Sequence, residues 1–334
     1  MADGNFETAV FEATASLVKT RFTGAAKFNQ AQFRSEARLG EAELLGAAHF
    51  EEVGFSAKAI FRVVKFGGDA SFQGSRFLQD ARFNEAQFLG TVIFRSVKFS
   101  GNAEFASTNF AKAIDFLSVT FCGDGNFEKV TFSGPADFPS AKFKGQASFA
   151  EAQFLCSANF LQAEFKGRAI FRNVSFAGGA EFSAILSRAA FVLAGARFEH
   201  VPSFHDAIFR EPLRLDNMTI ADPMMRSPVW TGEAKADPRP RLFRSIKACG
   251  DPEYAPRYRR LRQLAAETED YEREREFLPR RSAAAASGAT GRWDATSPGS
   301  GPAGFMADAP ISGARSSDRS PYGPPRYWCF LSSI

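Results

Sequence analysis

Phenylalanine recurs along this chain at gaps that alternate strictly between five and six residues. The run is clearest through Phe72, Phe77, Phe83, Phe88, Phe94, Phe99, Phe105, Phe110, Phe116, Phe121, Phe127 and Phe132, and its combined period is 11. The same phase reaches back through Phe28 and Leu17 to Phe6 and forward through Phe182, Phe198, Phe204, Phe209 and Leu215 to Ile220. Of the 40 positions so marked, 33 are Phe, six are Leu or Ile, and only Ser187 is polar. An uninterrupted repeat over two-thirds of a 334-residue chain restricts the fold to architectures in which one small unit is stacked many times.

Two further positions move with the Phe. Two residues before it stands a small or β-branched side chain, as at Ala26, Ala31, Ala37, Val53, Ala59, Val64 and Ala81, with a polar residue between. Small, polar, large is a period of two, which describes extended chain with both apolar residues on one face. A helix would need apolar residues at i, i+3 and i+4, which this spacing does not supply. Two residues after the second position of a pair Gly recurs, at 24, 46, 68, 90, 101, 123, 134, 145, 167 and 178. This is where the longer step needs its extra residue, so a left-handed or bulged glycine is expected there.

Strands this short, with corners every five or six residues, cannot make hairpins. They can make a solenoid whose backbone bonds run between successive coils. Four steps per turn give a coil of about 22 residues, about ten coils, and a rod about 45–50 Å long at about 4.8 Å per coil. The Phe rings would fill its axis, each burial stabilising the fold by roughly 1.5–3 kcal/mol before entropy is subtracted.

The small-polar-Phe-x-x grammar, with F-x-x-A-x-F alternating with F-x-G-x-A-x-F, resembles the pentapeptide-repeat family in its Phe-centred branch. The resemblance covers residues 6–220 and implies an all-β solenoid, a right-handed quadrilateral β-helix. The sixth residue in alternate steps departs from a strict five-residue rule. One coil is irregular: Ser187 stands where Phe is expected, while Phe191 and Ile185 occupy small-residue positions. Either Phe191 fills the volume that residue 187 leaves, or the chain bulges or shifts register between 183 and 197.

Beyond Ile220 the repeat ends. Residues 221–240, with several prolines, read as a connector whose Met224, Met225 and Trp230 could cover the last coil. Residues 241–278 read as a helical segment; Tyr258, Leu261, Leu264, Ala265 and Tyr271 form an apolar stripe over 256–278. That stripe would pack on a preceding helix, on the solenoid end, or on a second copy as a homodimer. Residues 279–334, mostly Ala, Gly, Ser and Pro, read as a disordered tail ending in an aromatic segment with Tyr327 and Trp328. The helix and Arg326-Tyr327-Trp328 also resemble longer bacterial members of the family, in which such a segment leads into transmembrane helices. That resemblance implies the soluble part of a membrane-associated sensor or anchor, truncated before its spans.

The chain carries no phosphate-binding glycine loop, no HExxH and no GxSxG. His200, His205 and Asp206 lie close in sequence, but sparse surface pairs of this kind are seldom metal sites. His49 falls in an outward position; Cys122 and Cys156 fall at turns, not where a nucleophile would be activated. No catalytic, cofactor-binding or metal site is expected. Cys249 and Cys329 complete a set without pairing or ligand spacing, which suits a reducing cytoplasm, and the first residues lack the features of a secretory signal.

Residues 1–220 hold 23 acidic and 23 basic side chains, so the rod is neutral. Neutrality disfavours nucleic-acid binding and also disfavours a topoisomerase-binding DNA mimic, which needs dense negative charge. Locally, 58–98 is basic and 104–137 acidic. Ile60 and Ile170 are expected to be exposed on one face and, with Tyr327 and Trp328, are the candidate interaction surface. The sequence thus points to a non-catalytic protein-interaction scaffold with an unknown protein partner. It would be cytoplasmic, with peripheral membrane contact through the terminal aromatic segment.

Overall fold

In a computed structural model, residues 3–221 and the helix Tyr254–Glu267 are described. Strands of two residues follow one another at each step as far as Phe198, with isolated bridges at Ser203 and Arg214 in the last coil, and each strand pairs in parallel with one 22 residues away, as Ala59 with Ala81 and Phe66 with Phe88. They assemble into four sheets along the sides of a solenoid of about ten coils. Sheet 1 runs from Gly4–Asn5 to Ala180–Glu181, and sheet 2 from Val10–Phe11 to Ile208–Phe209. Sheet 3 runs from Ala15–Ser16 to Phe191–Val192, and sheet 4 from Arg21–Phe22 to Thr219–Ile220. The small residue and the Phe point inward and are almost wholly buried; the polar residue between them points out.

Because each coil repeats the one before it, most Phe rings lie on their own copies. Phe61 and Phe83 stack with centroids 4.7 Å apart and planes 4° from parallel, and Phe66 and Phe88 do so at 4.4 Å. The columns lining sheets 1 and 3 meet edge to face across the axis, as Phe72 and Phe83 at 5.5 Å and 89°. Offset stacking along the axis and edge-to-face contact across it are the two arrangements that an aromatic quadrupole favours.

The two kinds of corner obey different constraints. In the five-residue step the chain turns through F-x-x-A, closed by a bond such as Ala31 N–H to Phe28 O at 3.0 Å. Its third residue is left-handed, at φ between 54° and 60° in eighteen non-glycine residues, Gln30, Val63 and Lys129 among them. That conformation aims the residue's N–H at the next coil, as Gln30 N–H to Glu51 O at 2.8 Å. In the six-residue step the glycines are not left-handed, contrary to the expectation from the sequence. They are required by space: a Cβ on Gly68 would come within 2.7 Å of the carbonyl carbon of Gly46, one coil earlier. At these glycines the longer step brings backbone onto backbone, and only hydrogen fits between.

The irregular coil is a size exchange within an unbroken register. Ser187 still pairs between Phe165 and Phe209, and Phe191 between Ala169 and the following coil. The Phe191 ring is fully buried, 5.6 Å from Phe165 and 5.3 Å from Phe209, in the room left by the serine. Ser187 Oγ, also buried, donates to Ala189 O at 2.8 Å. There is neither a bulge nor a register shift.

Helix α1, Tyr254–Glu267, buries Tyr258, Leu261, Leu264 and Ala265 within the same core. Arg257 donates to Val201 O at 3.2 Å and Arg260 to Ala207 O at 2.8 Å, so the helix lies on the last coils. The apolar stripe therefore packs on the solenoid end, the second of the three places open to it. A cap of this kind covers an edge that would otherwise recruit strands. Met224, Met225, Trp230, the remainder of 241–278 and the tail 279–334 lie outside the described residues.

Candidate interaction surfaces

The exterior is built from columns. Each outward position recurs every 22 residues, so side chains distant in sequence stand about 4.8 Å apart along the rod. The basic stretch 58–98 is dispersed by this geometry: Lys65 belongs to sheet 4, Arg76 and Lys98 to sheet 2, and Arg82 to sheet 3. The acidic stretch 104–137 disperses too, with Glu104 on sheet 3 and Asp115 and Asp137 adjacent on sheet 1. In their place stand clusters that linear reading missed, and comparing residues 22 apart would have found them.

Along the corner between sheets 2 and 3, four consecutive coils present Lys144, Lys166, Arg188 and Arg210, all exposed. Arg76, Lys98 and Lys142 project from sheet 2 itself. Glu164 pairs with Lys166 at 3.9 Å and Arg188 at 3.0 Å, whereas Lys142, Lys144 and Arg210 make no ion pair among the described residues. Two acids of the same corner are held by backbone: Asp80 accepts from Asn102 N–H at 3.1 Å and Asp124 from Gln146 N–H at 2.8 Å.

Sheet 1 carries Asp115, Asp137 and Glu181 outward together with Lys27, and Arg95 pairs with Asp115 at 2.6 Å. Burial first, and then the charge of neighbouring Asp115, push the Asp137 carboxyl above its ordinary value, against the lowering effect of its hydrogen bond to Asn159. Sheet 4 carries an uncharged stripe through five coils: Gln87, Asn109, Thr131, Gln153 and Ser175. Beside it stand exposed Leu89 and Leu155.

Ile60 and Ile170 do share a face, sheet 3, but they are half-buried, not exposed as the sequence suggested, and five coils separate them. Their neighbours cover them: Ile170 pairs between Ser148 and Val192, both themselves buried. The larger exposed aliphatics are elsewhere, among them Leu78 at 55% and Ile208 at 59%. Tyr327 and Trp328 lie outside the described residues.

The titratable candidates stay scattered. His49 faces outward on sheet 1, 3.9 Å from Glu51, and His205 Nδ1 lies 3.0 Å from Asp206 Oδ2 with both side chains largely in solvent. Among the described residues no three potential metal ligands come together. The Cys156 thiol, at a glycine corner, donates to Ser133 O at 3.2 Å, and Cys122 is half-buried. No helix among the described residues is long and apolar enough to cross a membrane.

A parallel solenoid with four flat sheets, a Phe-filled axis and alternating corners is a repeat scaffold in architecture. The model of the family described as pentapeptide repeats (9 copies) matches residues 6–54, 50–98 and 138–186. This chain is a pentapeptide-repeat protein. Residues 99–137, between the matched segments, continue the same register and the same Phe columns. No curated protein matches the chain, and no solved structure does.

Proposed function

We propose that the chain is a non-catalytic scaffold that presents a flat face to a protein partner. The observation that carries this reading is the division of labour in the repeat. The aromatic side chains of the solenoid are spent on its axis, and each outward column is free to vary without disturbing the coil. A rigid rod of this kind offers extended planes to a partner. The uncharged stripe on sheet 4 is the plane best suited to a protein surface. It carries a smaller desolvation cost than a charged face, and Leu89 and Leu155 flank it with exposed apolar area.

Photo-crosslinking in cells, from a reactive residue placed at Gln153 on sheet 4 or at Arg82 on sheet 3, tests the reading. A discrete protein adduct from position 153 and none from position 82 is expected. Indistinguishable adducts from both positions would remove it.

A further inference from the structure

We propose that sheet 2, with its edge toward sheet 3, docks on an anionic lipid bilayer. This is independent of the protein-scaffold reading, which uses sheet 4. Three features of the surface coincide. It is flat, because ten parallel two-residue strands make a plane with no protruding loop among the described residues. It is basic: Lys144, Lys166, Arg188 and Arg210 form a straight row, with Lys142 beside it. It also carries the two most exposed large aliphatic side chains of the described residues, Leu78 and Ile208.

Cations that hold a body at the headgroups, interspersed with aliphatic side chains that enter the acyl boundary, are what an anionic interface selects. The long stems of Lys and Arg suit such a surface, since they can lie along apolar area while the charge stays wet. A nucleic acid is a poorer occupant. The flat sheet meets a duplex only along a line, and the Phe rings that could stack on bases are turned into the core. An acidic protein would not require the exposed Leu78 and Ile208.

The test is flotation of the full chain with phosphatidylcholine vesicles, with and without phosphatidylglycerol, at low and high salt. The full chain is expected to float only with the anionic vesicles and to be released by salt. The triple variant Lys142→Gln, Lys144→Gln, Arg210→Gln removes three exposed cations that make no ion pair among the described residues. At about fivefold per cation, its partitioning should fall roughly a hundredfold. The triple variant Arg82→Gln, Lys129→Gln, Arg172→Gln, on sheet 3 and its far edge, changes net charge equally and should bind nearly as the parent does. Equal loss in both triple variants would overturn the proposal, as would absence of binding to the anionic vesicles. So would binding that survives the first triple variant but is lost in Tyr327→Ala/Trp328→Ala, or a double-stranded DNA fragment that competes the chain off the vesicles at equal phosphate.

Discussion

The five-residue and six-residue corners alternate along the same rod, yet they restrict sequence for unrelated reasons. At the six-residue corner the restriction is steric and comes from the neighbouring coil: Gly68 has no room for a Cβ because Gly46 lies beneath it. At the five-residue corner the restriction is torsional and belongs to the residue itself. A left-handed L-residue costs about 1–2 kcal/mol, and the chain accepts that at eighteen described positions. Glycine is therefore frequent where torsion does not ask for it and scarce where torsion does. Composition at a turn follows whichever constraint is harder, and overlap with a backbone one coil away is harder than an unfavourable φ.

Four substitutions sharpen that contrast. Gly68→Val should be the most damaging, destabilising the rod by about 3 kcal/mol, because the obstacle is backbone and cannot swing aside. Denaturant unfolding measures it, and an unchanged midpoint would show that the coils can separate locally. Ser187→Phe restores the nominal repeat but should cost about 1–3 kcal/mol, since Phe191 already fills that volume. Combined with Phe191→Ala, the same substitution should recover most of the loss, and purely additive effects would contradict the exchange. At the other corner, Val63→Gly should stabilise by about 1 kcal/mol, relieving a β-branched residue held at φ 59°. A destabilised variant would show that the left-handed strain is offset by contacts of the valine.

The smallest effect is expected on the flat wall between corners, where Asp137 stacks on Asp115. Its folded pKa is raised above 3.8, so the folded state holds the proton more tightly than the unfolded chain. This contribution favours folding below 3.8 and weakens as pH rises through the folded value. Asp137→Asn should therefore stabilise slightly at neutral pH and not at pH below 3.8. Denaturation midpoints at the two pH values check it, and a larger gain in acid would contradict the sign.

The architecture was legible because burial in a solenoid is written as a period. Alternation at Ala-x-Phe dictates extended chain, and a constant phase from Phe6 to Ile220 dictates equal coils, whatever the details of packing. The aromatic columns follow from those two facts. The glycine corner was legible as a position but not as a cause, because the atom that excludes a side chain from Gly68 belongs to residue 46. The helix stripe at Tyr258, Leu261, Leu264 and Ala265 announced burial but not against what.

The sequence by itself determined the repeat, the inward set and the length of the rod, since these depend on local alternation and on the area each coil must bury. The coil of the tertiary structure, not the order of residues along the chain, decided which outward residues are neighbours. Folding every 22 residues back on themselves turns Lys144, Lys166, Arg188 and Arg210 into one row and scatters the basic run of 58–98 over three of the four sheets. Surface electrostatics depends on distance through space, and in a solenoid that distance is set by the coil, not by the order of the chain.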